Sequence, residues 1–456
     1  MSTPRAGTAG RASLTHPRRA LATVIAVVFF DLLGFGIIIP ILPFYVRSFG
    51  VSDVYIGLLA ASYSAMQFVF APLLGSLSDR RGRRPVLLVS IFGSVLAWTV
   101  FGLAGSVAVL FVSRMLAGAM GGNLATAQAY VADVTPADER AGAFGLVGAA
   151  FGLGFVFGPA LGGFFASDPV VALAGDVFPA AIPATRFSLP SFAAAGLSLL
   201  NFAFAALFLE ESGAGRESVE ATPDGEASRV ARGWVSRFTG GWVETFRAAL
   251  ADDALRGLVA SFFLLSVAFS GVQVMFIPFT ADEFGLGASG TALLLTYIGV
   301  LGIAFQGVLV GRLSRRYPDS SLAVAGAALL LVALAALPFS PTLGRALFPV
   351  LSPGFLTREL LALVLVLPGL SLGNALLSVS LTTLVSKAAG ASVQGSAFGL
   401  TQGAGSLGRT VGPPVMAALY VVAVWTPFVV GAMLLAVALF VLVRRRRRVV
   451  GPVGAD

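Results

Sequence analysis

One carboxylate in this 456-residue chain stands where a charge is hardest to hold. Asp31 lies in Phe30-Asp31-Leu32-Leu33-Gly34-Phe35-Gly36, inside an apolar run that begins at Leu21 and is followed by Pro40 and Pro43. At ~1.5 Å per helical residue it sits about 15 Å into the run, near the midplane of a bilayer about 30 Å thick. A charge at that depth is costly, and such residues mark ion pathways and proton relays. Low-dielectric surroundings disfavour the charged form of any carboxylate. An acid so placed can take a proton from one side and release it to the other, or it can be bonded permanently to a neighbouring helix as packing glue. Arg114 lies in another apolar run and is followed by Gly118, Gly121, Gly122 and Asn123. Arginine stays charged at any relevant pH, so it cannot carry the proton itself. It can bias a partner such as Asp31 or a bound carboxylate, or it can snorkel to the water boundary near Ala108.

Uncharged polar residues on mostly apolar stretches are the remaining candidates. Tyr63, Gln67, Asn123, Gln128, Gln273, Gln306, Asn374 and Gln402, with Arg409, are expected to line a cavity or to bond between helices. With so few charges and 37 phenylalanines, a cavity of this kind suits an amphiphilic molecule better than a polyhydroxylated sugar.

The elements that must position these residues follow from composition. Hydrophobic residues make up 57% of the chain and charged residues 11%, against about 25% charged in a soluble domain. That leaves too little polar surface to cover a soluble globule, so the solvent is a bilayer. There is no cysteine, and the one histidine, His16, is in the polar N-terminal stretch. Disulfides, thiolate metal sites and intramembrane histidine relays are excluded, and no metal or cofactor is expected. The only lysine, Lys387, follows Ser386, so the chain has no phosphate-binding G-x-x-x-x-G-K-[ST] loop. No cluster of His, Cys or carboxylates supports catalysis, and an enzyme is not expected.

A helix needs about 20 residues to cross a bilayer. By that measure spans fall near 20–43, 55–74, 86–105, 108–132, 142–166, 189–209, 257–280, 291–311, 322–339, 359–385, 396–422 and 426–443, an all-α membrane protein. The net charge of +8 speaks less of nucleic acid than of topology. With both termini cytoplasmic, 24 of 30 basic residues fall on the inner side, and Arg47, Arg186, Arg345 and Arg358 on the outer, which is the positive-inside pattern. The expected organisation is a cytoplasmic tail (1–19), a six-helix half (20–209), a linker (210–256), a second half (257–443) and a basic cytoplasmic tail (444–456). Within the linker, Val230, Trp234, Phe238, Trp242 and Phe246 recur at helical spacing, as in an amphipathic helix lying on the inner surface. The connections 167–188 and 338–358 read as outer loops.

Between the second and third spans stands Gly75-Ser-Leu-Ser-Asp-Arg-Arg-Gly-Arg-Arg-Pro85, a charged turn that cannot lie in lipid. The pattern G-x-L-x-D-R-x-G-R-R, filled by Gly75, Leu77, Asp79, Arg80, Gly82, Arg83 and Arg84, resembles the signature cytoplasmic loop of the major facilitator superfamily. The halves also repeat. Pro43-Phe44…Phe49-Gly50 recurs as Pro278-Phe279…Phe284-Gly285, and Gly145, Gly154, Gly158 and Pro159 as Gly399, Gly408, Gly412 and Pro413. Gly75-x-Leu77-Ser78 recurs as Gly311-x-Leu313-Ser314, with Arg315 where Asp79 stands. Twelve transmembrane helices in two pseudo-symmetric halves is the superfamily's architecture.

Three further stretches narrow the resemblance to the drug/proton antiporter branch. The run D-x-x-G-x-G-x-x-x-P-x-x-P from Asp31 is similar to the first helix of tetracycline-type antiporters. Arg114 and Gly118 resemble the R-x-x-x-G motif of proton-driven members. Gly145, Gly154, Gly158, Pro159, Gly162 and Gly163 match the antiporter motif of the fifth helix, where they are expected to form a tight, bent seam against a neighbour, taken as the eighth helix. The resemblance implies that Arg83 pairs with Asp133, that Asp79 faces the N-terminus of the eleventh helix near Ser392–Ser396, and that Arg80 and Arg84 touch lipid headgroups. Thr135 is expected to cap the fifth helix, with Pro136 in its first turn. The implied function is proton-coupled efflux of an amphiphilic small molecule by a monomer in the cell membrane. The alternative on the same fold is a proton-linked uptake carrier for a metabolite.

Overall fold

In lipid every backbone polar group must be satisfied within the chain, so long apolar stretches fold as helices. The computed structural model describes residues 17–136, 139–179, 182–212, 253–349, 356–388 and 394–449. Among the described residues seventeen α-helices run in order: α1 Pro17–Ile38, α2 Leu42–Ser48, α3 Val54–Arg81, α4 Arg83–Gly102, α5 Val107–Gly121, α6 Asn123–Val134, α7 Arg140–Phe165, α8 Asp168–Val177 and α9 Ser188–Phe208. Then follow α10 Asp253–Phe284, α11 Ala288–Ala304, α12 Val310–Ser314, α13 Asp319–Ala336, α14 Ser340–Leu347, α15 Arg358–Ala388, α16 Gln394–Val422 and α17 Thr426–Val449. A π turn, Phe305–Leu309, joins α11 to α12, and a 3₁₀ turn, Leu337–Phe339, joins α13 to α14.

Eleven stretches among the described residues are long and apolar enough to cross a bilayer. Paired helices α1–α2, α5–α6, α11–α12 and α13–α14 each make one of them. Helix α16, 29 residues long, takes the remaining place between α15 and α17. Its Thr401, Gln402, Ser406, Arg409 and Thr410, with four glycines from Gly403 to Gly412, lower its hydropathy. Leu200, Leu207, Leu293, Val422 and Phe440 point outward and are largely exposed, as side chains facing acyl chains must be.

The pairings show the internal repeat as structure. In the first half α1 packs on α7 and α4 on α9; in the second α10 packs on α16 and α13 on α17. Between halves, α7 meets α11 and α16 meets α3. Gly50 and Gly285, the ends of the repeated Phe-Gly pair, both have left-handed backbone, φ 67° and 64°. Glycine closes a helix at no steric cost there.

The two ends of the bundle differ. Near Arg47 one apolar core joins the halves, running from Ile38, Leu59 and Phe101 to Phe279 and Phe428. Near Gly82 the first half has a separate core around Val24, Leu87, Tyr130 and Val147. The linker helix expected over Val230–Phe246 lies outside the described residues, as do the two tails up to residue 16 and beyond residue 449. The expected outer loops are partly helical, as α8 and α14.

Candidate functional site

A cavity of about 470 Å³ lies between the halves. Helices α1, α3, α5, α6 and α7 supply one wall; α10 and α16 supply the other. Asp31, fifteenth residue of the Pro17–Ser48 span, lines it. It faces neither lipid nor a water boundary at the helix end. Asn123, first residue of α6, points its Nδ2 at Asp31 Oδ2 from 3.5 Å, the outer limit of a hydrogen bond.

Arg114 is 5% exposed and lines the same cavity. It does not snorkel. Its guanidinium carbon lies 4.5 Å from the centre of the Tyr63 ring and 5.7 Å from that of Phe35, cation–π distances that offset part of the cost of burying the charge. It makes no ion pair among the described residues, with Asp31 or any other acid. Its Nε is buried without a hydrogen-bond partner. The glycines after it make room for α3. A Cβ at Gly121 would stand 2.7 Å from the Tyr63 hydroxyl, and one at Gly122 2.8 Å from the Ala71 nitrogen. Gly118 lies directly against the Tyr63 carbonyl. The R-x-x-x-G spacing therefore presses the arginine against an aromatic ring.

Of the remaining polar candidates, Tyr63, Gln67, Asn123, Gln273 and Arg409 line the cavity. Gln67 donates to the Gly121 carbonyl at 3.1 Å. Gln128, Gln306, Asn374 and Gln402 do not line it, which corrects the expectation for them. Gln128 is five residues from Asn123, about 140° round the helix at 100° per residue, and is exposed. Gln306 is exposed in the π turn, where the helical phase shifts. Asn374 accepts from Ser378 Oγ at 3.4 Å within α15. Gln402 shares the face of Arg409 but stands two turns beyond the cavity, exposed. Ser64 and Ser270 line the cavity without having been singled out, as do Phe35, Phe151 and Phe155.

The antiporter motif on α7 serves two neighbours. Gly154, Gly158 and Gly162, spaced by four, form one stripe against α1 rather than against the eighth span. A Cβ at Gly154 would stand 2.8 Å from Leu32 Cβ, and one at Gly158 2.5 Å from Gly36 Cα; Gly162 lies against the Ile37 carbonyl. Gly163 alone of the motif meets the eighth span, where a Cβ would stand 2.6 Å from that of Ala292. Ser289 Oγ donates to the Gly163 carbonyl at 2.8 Å, and Thr296 Oγ1 to that of Val156 at 3.4 Å, so the α7–α11 seam uses the adjacent face. Gly145 has open space around it. Pro159 sits inside α7, against Gly36.

The charged turn is mostly helix. Helix α3 continues to Arg81 and α4 begins at Arg83, so Gly82 alone breaks the chain, at φ 97°. Arg83 bonds Asp79, donates from Nη1 to Ser78 Oγ at 2.7 Å, and from Nε to Asp133 Oδ2 at 3.0 Å. Ser212 Oγ reaches the same Asp133 oxygen at 3.1 Å. Glu211 accepts from the backbone N–H of Arg83 at 2.7 Å and of Arg84 at 3.2 Å, so its carboxylate caps α4. A Cβ at Gly82 would stand 2.5 Å from Glu211 Oε2, a second reason for glycine there. Arg84 donates to the Ala206 carbonyl at 2.7 Å, which satisfies the end of α9 and corrects its assignment to lipid. Arg80 and Gly75 are not enclosed. Thr135 ends α6 and does not cap α7, which starts at Arg140. Residues 392 and 393, expected opposite Asp79, lie outside the described residues.

At the opposite end Arg47 holds both halves. Its guanidinium donates to Asp53 at 2.8 and 2.7 Å and to Asp282 at 2.7 and 2.8 Å, and the Tyr420 hydroxyl donates to Asp282 Oδ2 at 2.7 Å. Glu211 and this clasp were both missed in the sequence. The clasp had a signal: Arg47 and Asp282 each precede the repeated Phe-Gly by two residues, with opposite charge.

Residues 24–413 match the family model described as Major Facilitator Superfamily. The chain belongs to that superfamily. Among curated members, the class E tetracycline resistance protein of Escherichia coli is 42% identical over 178 residues, 38% of this chain and 43% of that protein. The class C protein of Escherichia coli is 31% identical over 285 residues, 62% of this chain and 64% of that protein. The matched segments thus span about half the length of these superfamily relatives. Among solved structures, a bacterial homologue of the human lysosomal transporter Spinster, inward-facing and unoccupied, aligns with TM-score 0.73 at 15% identity over 98% of this chain and all of that one. The human organic anion transporter TETRAN aligns with TM-score 0.62 at 23% identity over 94% of this chain and all of that one. These likenesses show the superfamily fold in a multi-pass membrane protein.

Proposed function

We propose that this transporter exports an amphiphilic small molecule in exchange for protons, by alternating access of a central cavity between two rocking halves. The observation that carries the reading is Asp31, a carboxylate at mid-span that lines the interface cavity rather than a helix end. The intact fifth-helix motif and the tetracycline resistance relatives support export over uptake. The positive-inside pattern puts Gly82 and both termini in the cytoplasm and the Arg47 clasp outside. With that orientation the Arg47–Asp282 pair and the apolar core beside it join the halves on the outer side, which suits cargo loading from the cytoplasm. One proton moving inward down ~100 mV supplies about 2.3 kcal/mol, roughly a fifty-fold gradient at 1.4 kcal/mol per tenfold. That sustains export without ATP.

The test is a resistance profile of cells with and without the protein, begun with tetracycline, followed by uptake of the labelled compound into everted vesicles. Export in exchange for protons requires accumulation when the lumen is acid and release on adding a protonophore. Accumulation with the opposite gradient alone would establish uptake instead.

A further inference from the structure

The charged groups lining the cavity are Asp31, Arg114 and Arg409, so its lining carries an excess of one positive charge. The two arginines come from different halves, Arg114 on α5 and Arg409 on α16. Both line the same cavity, as does Tyr63. Arg114 is 5% exposed, with Nε unpartnered and the rings of Tyr63 and Phe35 against its guanidinium. Arg409 donates from Nη2 to Ser406 Oγ at 3.0 Å, a neutral partner. Neither forms an ion pair among the described residues. A cation as buried as Arg114 is ordinarily paired, and a guanidinium's fork of donors, on either arginine, matches a carboxylate better than any neutral group. The rest of the wall is aromatic and aliphatic: Phe35, Phe151 and Phe155 among others. A volume of about 470 Å³ suits a drug-sized molecule.

We propose that the cavity binds an amphiphile through one acidic group held between Arg114 and Arg409, with its apolar body on the phenylalanine wall. This rests on the reading of the cavity as the transport site, and names the chemistry it selects. Asp31 pairs with neither arginine among the described residues, so an acidic group held there leaves its carboxyl free to take and release the proton. The subsite also draws one side chain from each half, so an acidic group ties the halves at the level of the cargo.

The test needs no gradient, so it can fail while proton-driven export stands, and the reverse. Purified protein in lipid nanodiscs is titrated calorimetrically with naphthylpropanoate and with its neutral isostere naphthylpropanamide. The acid should bind more tightly by about tenfold or more, the worth of one charge-assisted hydrogen bond. Arg409→Gln and Arg114→Gln should each bring the two probes within about twofold, and Arg409→Lys should keep most of the preference. Where Arg114→Gln does not give monodisperse protein, Arg409→Gln decides, since that side chain is exposed to the cavity. Equal binding of the two probes to the wild type, failure of both to bind, or a preference that survives Arg409→Gln would each overturn the proposal.

Discussion

Arg47 and Asp282 occupy equivalent positions of the internal repeat and meet across the axis between the halves, guanidinium to carboxylate at 2.7 and 2.8 Å. Pro43-x3-Arg47-x-Phe49-Gly50 in the first half is Pro278-x3-Asp282-x-Phe284-Gly285 in the second. A pseudo-twofold axis brings equivalent positions together, where like charges repel. Opposite charges at one pair turn the symmetry into a clasp.

That clasp holds the Arg47 end shut. Breaking it should raise the population of the state open there, by about tenfold for a half-buried bond to a charged group worth about 1.5 kcal/mol. The native chain has no cysteine, so a single introduced thiol reports without background. Ile56→Cys, fully buried beside the cavity, should react faster with an impermeant maleimide from outside when combined with Arg47→Ala or Asp282→Asn. Arg47→Asp with Asp282→Arg should not recover the wild-type rate fully, because Asp53 would then face a second acid. An unchanged rate in Arg47→Ala would mean that packing alone closes this end.

The α7 glycines divide into packed and open positions. Gly158→Val sets a side chain against the α1 backbone, and should cost about 1–3 kcal/mol or abolish folding. Gly145→Ala meets open space and should leave thermal stability unchanged or raise it by up to about 1 kcal/mol. Melting temperatures of the purified variants check both, and equal losses at the two sites would contradict the packing described.

Glu211 and Asp79 separate stability from cycling. Glu211→Ala removes the carboxylate from the start of α4 and should destabilise by about 0.5–2 kcal/mol, read as a lowered melting temperature. Asp79→Ala leaves Arg83 bonded to Asp133 and Ser78 and should keep the fold while slowing turnover. Unchanged turnover would mean that Asp79 takes no part in the transport cycle.

The spans were legible because a bilayer demands long apolar helices, and the internal repeat was legible because the two halves fold alike. Asp31 could be placed by counting along one helix. The partners of the α7 stripe could not: spacing by four identifies a face, and only packing says that it is α1 that fills it. Gln128 and Gln306 went astray for a related reason, since composition marks a polar side chain but not the rotation of its helix, least of all through a π turn. Arg47 with Asp282, 235 residues apart, and Glu211, in a stretch read as linker, depend on contacts that no local pattern carries.

The central claim is that Asp31 exchanges its proton for cargo, and the most direct measurement compares wild type with Asp31→Asn in everted vesicles under an imposed proton gradient. The wild type should accumulate labelled cargo against its gradient. Asp31→Asn should bind the label and let it equilibrate across the membrane, yet build no gradient. Accumulation by Asp31→Asn to the wild-type level would contradict the account.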